Sequence, residues 1–315
     1  MKKTKFKGVF MLLLTAFIWG SAFVAQSKGM DNVEAFTFNG LRTLLGALVL
    51  LPFILIRDSV ANKKATEEER AKKKIADKKT IIYGALIGVV FCAASNIQQL
   101  AFNYTTTGKI AFITALYMFF VPLIGLIFRK RVPWLTWICV ICGFIGLYFL
   151  CIDPANDIGF NKGDLLALAC AFFFAIHILL IEKYAPDLDG VKLSFVQFLV
   201  SGIITVILMF IFEKPEFEMI KKAVVPLLYA GIMSCGVAYT FQIIGQKFTE
   251  ATVASLLLCM ESVFAVICAV PILHESMNYR EIIGCVIMFA AIILSQFSET
   301  LCRKKPEEAS AKLIQ

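Results

Sequence analysis

Ten runs of apolar residues dominate this chain, at about 8–27, 34–56, 80–102, 107–128, 132–151, 163–182, 193–212, 223–246, 251–273 and 280–298. Most are 17 residues or longer, and crossing ~30 Å of hydrocarbon takes about 20 helical residues. In lipid the backbone N–H and C=O groups must be satisfied within the segment, so the runs are expected to be helices. Composition agrees: 59% of the 315 residues are hydrophobic and only 17% are charged, less charge than a soluble domain of this size carries. The expected fold class is an all-α polytopic membrane protein with ten transmembrane helices. The first run is too long for the apolar core of a cleavable signal peptide. Gln26-Ser27-Lys28 is also not a small-x-small cleavage site, so this run reads as a retained span.

The net charge of +8 follows topology and does not imply a nucleic-acid partner. With the N-terminus in the cytoplasm, 23 Lys and Arg residues fall on inner segments and 6 on outer ones, while Arg42 and Lys109 lie within spans. Lys and Arg gather on the cytoplasmic side of membrane proteins. Both termini are therefore expected in the cytoplasm, with the chain in a plasma or inner membrane. The charged insertion 57–79 reads as a solvated cytoplasmic loop or short surface helix, with contact to anionic headgroups as a weaker option. Residues 301–315 read as a cytoplasmic tail. Ten cysteines are scattered, mostly within spans. Cys139 and Cys142 form a C-x-x-C without a second pair or a nearby histidine, so neither a metal site nor a disulfide framework is implied.

The chain repeats itself. Leu13, Ala16 and Phe17 match Leu168, Ala171 and Phe172 at an offset of 155; Tyr104-Thr105 matches Phe248-Thr249 at 144. The drop in offset is accounted for by unequal loops, 57–79 against 213–222. Two copies are expected, 1–152 and 160–300. Five spans per copy is an odd number, so the second copy enters the membrane from the opposite side. Inverted repeats of this kind recur in secondary transporters, with the substrate site near the midplane.

Arg42 and Glu261 each stand alone inside an apolar run. A charge at that depth costs ~2.5–3.5 kcal/mol on insertion scales, so such residues face a protein interior or a wet cavity. Glu261 lies ten residues into its span, roughly 15 Å deep at the helical rise per residue. At offset 144 its counterpart is Tyr117. Glu261 can bind a cationic group or carry a proton, the candidate coupling ion; the competing reading is a structural carboxylate paired with Arg42. Arg42 offers five donors for a substrate carboxylate, or ties neighbouring helices together. Cys92, Asn96, Gln99 and Asn103 follow i, i+4, i+7, i+11, as do Cys235, Tyr239, Gln242 and Gln246. That spacing puts each set on one helical face, lining a cavity or bonding helix to helix. His177 is either a titrating group or a neutral hydrogen-bonding one. Trp19-Gly20-Ser21 sets an aromatic wall beside small residues, and Pro122 is expected to kink its span. Lys109 lies near a span end, where it can snorkel.

The chain lacks G-x-x-x-x-G-K-[ST], H-E-x-x-H and a voltage-sensing arginine helix. No cofactor, metal or enzymatic centre is expected, leaving a passive channel or, less favoured, a polytopic membrane enzyme as alternatives. The segments AFIWGSAFV (16–24), NGLRTLLGALVLLP (39–52), AFNYTTTGKIAFITALYMFFVPLIGLIF (101–128) and GQKFTEATVASLLLCMESVFAVICAVPILHESMNYREIIGC (245–285) resemble the EamA-type branch of the drug/metabolite transporter superfamily. Arg131 departs from that pattern, where the first copy often ends in Glu, as does Val266 opposite Pro122. The resemblance implies ten spans in two repeats and transport of small polar organic metabolites, amino acids favoured, in either direction. It also implies a central cavity from spans one, three, four, six, eight and nine. The expected lining is Trp19, Asn96, Gln99, Tyr117, His177, Tyr239, Gln242 and Glu261, with Arg42 and Pro122 in support.

Overall fold

The computed structural model describes residues 2–105, 107–128, 132–152, 161–273 and 279–302. Arg131, Glu275 and the end of the tail lie outside these. Helices follow one another as α1 (Lys2–Met30), α2 (Ala35–Lys64), α3 (Glu67–Ala101), α4 (Thr107–Thr114), α5 (Tyr117–Ile127) and α6 (Trp134–Cys151). The second half carries α7 (Lys162–Tyr184), α8 (Gly190–Phe212), the short α9 (Phe217–Lys222) and α10 (Val224–Leu228). A π-helical stretch (Tyr229–Tyr239), α11 (Thr240–Gln246), α12 (Ala251–Leu258), α13 (Met260–Leu273) and α14 (Tyr279–Cys302) complete it. Among the described residues there is no strand. Among the described residues, seven helical stretches are long and apolar enough to cross a membrane, and three shorter apolar ones cover 134–149, 251–265 and 282–295.

The charged insertion 57–79 is not a loop. α2 runs on to Lys64 and α3 begins at Glu67, so only two residues join them. Thr66 and Glu69 form a reciprocal capping box, and Glu67, Glu68 and Glu69 crowd the first turn, where the helix dipole favours negative charge. Local caps thus convert a polar segment into the ends of two helices. At 30 and 35 residues these helices reach roughly 45 and 52 Å, longer than the hydrocarbon layer. α2 lacks a side-chain cap of its own. Glu213, from the end of α8, accepts from Phe36 N–H (2.7 Å), Thr37 N–H (2.6 Å) and Thr37 Oγ1 (2.7 Å) instead.

The two halves interlock. α2 lies along α8 and α6 along α14; α3 packs on α7 and α8, as the π stretch and α11 pack on α1 and α2. α4 and α5 meet α7, as α12 and α13 meet α1. Exchanging each element for its counterpart in the other half leaves this set of pairings unchanged.

Ion pairs tie the bundle at both ends. Where α2, α3 and α8 meet, Lys192 reaches Asp58 (2.6 Å) and Asp77 (2.7 Å), Lys73 reaches Asp58 (3.3 Å), and Arg57 pairs with Asp189. At the other end Asp164 completes a capping box with Asn161 on α7, accepts from Thr105 Oγ1 (2.8 Å) and pairs with Lys109 Nζ (3.3 Å). The Asp164 side chain is 2% exposed and that of Lys109 10%. Lys109 is thus anchored to protein rather than snorkelling. Removing one partner of a buried pair typically costs ~3–5 kcal/mol. Asp164→Ala is therefore expected to lower the melting temperature of the detergent-purified protein far more than Glu68→Ala, whose carboxylate is exposed.

Candidate functional site

One membrane-length stretch, 107–127, and one of the shorter apolar ones, 251–265, are interrupted near their middles, and the interruptions touch. α4 gives way to α5 at Ala115–Leu116, and α12 to α13 at Cys259. At both places the backbone turns to i→i−3 bonding, as in Met118 N–H to Ala115 O and Ser262 N–H to Cys259 O, each 3.1 Å. Cys259 Sγ–H donates to the Ala115 carbonyl (3.4 Å), and Tyr117 Oη–H donates to Glu261 Oε1 (3.1 Å). Both contacts join residues 144 apart, the offset between the two copies at this level. Pro122 lies inside α5, six residues beyond the interruption. The helical break in this span therefore lies upstream of Pro122, which α5 contains.

α1 closes over the second interruption. A Cβ added to Gly20 would lie 2.6 Å from Glu261 O and 2.7 Å from Ala265 N, closer than real contacts allow. Only glycine fits a backbone at that approach. Gly20→Val is expected to push α1 off α13. In proteoliposomes it should suppress transport by more than about tenfold, the scale for misplacing a binding group, while Gly143→Ala, whose Cβ would meet only ordinary contacts from 3.5 Å, should not.

Trp19, Phe23 and Gln26 of α1, Arg42 of α2 and Gln98 of α3 enclose a small central cavity. Thr114, Tyr117, Phe174, Ile178, Ser234, Tyr239, Gln242 and Glu261 complete the wall. Its volume is about 30 Å³, whereas small-molecule pockets hold roughly 300–1,000 Å³, so the helices here are closed around the site. Trp19 and Tyr239 pack ring on ring with centroids 4.4 Å apart.

Arg42 and Glu261 both reach this cavity. Arg42 is 4% exposed and so is Glu261, yet they form no ion pair with each other. Arg42 Nε–H donates to Asn39 Oδ1 (2.9 Å), and its guanidinium lies 5.7 Å from the Phe38 ring centre. Its terminal nitrogens have no acceptor among the described residues. Glu261 receives its one side-chain hydrogen bond there from Tyr117.

Of the residues picked out by the sequence, Trp19, Arg42, Tyr117, Tyr239, Gln242 and Glu261 line the cavity. Asn96 lies behind it, bonded to Asn39 and Thr205 between α2, α3 and α8. Gln99 is fully buried and neither amide atom has a protein partner. His177 Nε2 meets Gln197 Oε1 (3.0 Å), and its ring faces Phe91 and Tyr239 rather than the cavity. The lining also includes residues that the stripe pattern misses. Gln98 sits one residue off the stripe and bonds Thr114 Oγ1 (3.3 Å), while Gln26 turns back to the Ala22 carbonyl (3.3 Å).

A solved crystal structure superposes with a TM-score of 0.73 at 16% identity, covering 94% of this chain and 97% of the other, so the two share a fold. An uncharacterized transporter of Archaeoglobus fulgidus is 28% identical over 288 residues, 90% of this chain and 83% of the relative. One from Clostridium kluyveri is 25% identical over 93% of this chain and 94% of its own. The uncharacterized transporter YoaV of Bacillus subtilis is 23% identical over 93% and 97%. The EamA-like transporter family matches twice, over residues 6–152 and 161–297. With nearly the whole length matched, and apolar helices long enough to cross a bilayer, the chain is a multi-pass membrane transporter that belongs to the EamA-like transporter family, within the drug/metabolite transporter superfamily.

Proposed function

We propose that this protein is a secondary transporter of small zwitterionic metabolites, amino acids or their relatives, and that the cavity between Arg42 and Glu261 is its substrate site. The observation that carries the reading is the coexistence of a buried guanidinium and a buried carboxylate on one cavity without a bond between them. Opposite charges that face a shared space and do not pair are complementary to a ligand carrying both signs. The substrate carboxylate takes the terminal N–H groups of Arg42, a planar fork suited to that acceptor. The substrate ammonium takes Glu261. Trp19 and Tyr239 supply an apolar wall, and Gln242 offers an amide whose Oε1 has no protein partner. Asn96, Gln99 and His177 support this wall from behind.

Two inverted repeats, residues 1–152 and 160–300, rock about the site and expose it to each side in turn, with ten spans and both termini in the cytoplasm of a cell-membrane protein. The exchange symmetry of the helix pairings and the contacts between residues 144 apart support this movement. Glu261, lodged where the two interruptions cross, is the group that carries the coupling proton. The test is a thermal-shift screen of purified protein against the twenty L-amino acids and their amides, followed by counterflow in liposomes. Stabilisation and counterflow by an amino acid but not its amide support the reading. Chemically altered substrate, or ligands without a carboxylate binding as well, overturn it.

A further inference from the structure

Arg42 reaches the cavity through a hydrogen-bonded relay whose direction is set at a main-chain carbonyl on another helix. Asn96 Nδ2–H donates to the Cys92 carbonyl (2.9 Å) and to Thr205 Oγ1 (2.8 Å). A carbonyl only accepts, so the Asn96 amide cannot turn over without losing that bond. Its Oδ1 must then face α2, where Asn39 Nδ2–H donates to it (2.8 Å) and to Ser95 Oγ (3.1 Å). That fixes Asn39 in turn, and its Oδ1 is left to accept Arg42 Nε–H (2.9 Å). Thr43 Oγ1–H bonds the Asn39 carbonyl and holds the same turn. Asn39 is fully buried, Asn96 is 5% exposed, and Ser95 and Thr205 are fully buried.

We infer that Asn39 and Asn96 are positioning residues that lock the guanidinium plane of Arg42 through this relay, so that its terminal donors face the cavity before substrate arrives. Asn96 acts on the site although two side chains separate it from any ligand. An arginine side chain is long and rotamer-rich, and ordering it at the moment of binding weakens binding unless it is already held. The relay draws on α2, α3 and α8, so it also couples the orientation of Arg42 to the packing between the two halves. The inference deepens the reading of Arg42 as the carboxylate anchor and rests on it for the transport consequence, whereas orientation is measured without any ligand.

The decisive experiment is NMR of full-length protein in nanodiscs with ¹⁵N-labelled arginine, the Arg42 Nε–H signal being assigned by its disappearance in Arg42→Gln. In the wild type this proton is expected to be protected from solvent exchange. Asn39→Leu should abolish the protection, and so should Asn96→Leu, which leaves the direct partner in place. Asn96→Ala serves the same purpose should the leucine variant not elute as a single species. Unchanged Nε–H protection in a well-folded Asn96 variant overturns the relay. In liposomes, Asn96→Leu is expected to raise the KM for the carboxylate-bearing ligand found by screening about tenfold, for the loss of a bond supporting a charged group. It should raise it no further in an Arg42→Gln background. Additive effects overturn the relay alone; an Arg42→Gln variant with unaltered acid-over-amide preference overturns the substrate reading instead.

Discussion

Glu261→Gln is expected to abolish accumulation of substrate driven by a pH gradient while leaving exchange down the substrate's own gradient measurable. Gln is nearly isosteric and still accepts the Tyr117 hydroxyl, so the crossing of the two interruptions is preserved. What disappears is the negative charge and the capacity to take up a proton. Glu261 is 4% exposed and pairs with no cation among the described residues, so its charge is balanced only by what enters the cavity. In the proposed mechanism a proton and a substrate ammonium compete for it, and that competition would couple their movements. The measurement is uptake into proteoliposomes with and without an imposed pH difference, alongside counterflow at zero gradient. Loss of the ammonium partner should also raise the KM by at least about tenfold, the usual scale for a hydrogen bond to a charged group. Wild-type flux that ignores the pH difference, together with an unimpaired Gln variant, would identify a passive facilitator and end the coupled reading.

Arg42→Gln should cost the carboxylate-bearing ligand about ten- to a hundredfold in affinity, the scale of a charge-assisted hydrogen bond of ~1.5–3 kcal/mol. The corresponding amide should lose little. Arg42→Lys should recover only a small part. It restores the charge but has no Nε–H for Asn39, and its ammonium cannot present the planar fork. Titration of purified protein with the acid and its amide separates these outcomes. Equal weakening for both ligands would place Arg42 among the helix-tying residues, as the structural reading of the sequence has it.

The apolar runs and the polar stripes were legible because each rests on a short-range rule: hydropathy over one segment, or the 3.6-residue period on one face. The register of 144 that aligns Tyr117 with Glu261 is likewise a count along the chain. Partner choice was not legible. Asn96 and Gln242 carry the same type of side chain in matching stripes, yet one bonds Asn39 and Thr205 behind the site while the other lines it. Gln98 lines the cavity and Gln99 does not, because the packing of α3 on α7 and α8 decides which neighbour points inward. The helical interruption at Ala115–Leu116 and the π-helical stretch at 229–239 are not read from composition; the first lies against α7 and the second against α1 and α2. The insertion 57–79 departs for the opposite reason: its polarity reads as a solvated loop or short surface helix, while its capping box makes it the ends of two long helices.

By itself the sequence determined a membrane-embedded helical chain with two charges that lipid cannot accommodate, because hydropathy and the expense of a buried charge act on each segment separately. Only the tertiary structure decided that Arg42 and Glu261 share one cavity without pairing. That outcome depends on crossing positions and close approaches between helices far apart in the chain, such as Gly20 against Glu261, which no local rule encodes.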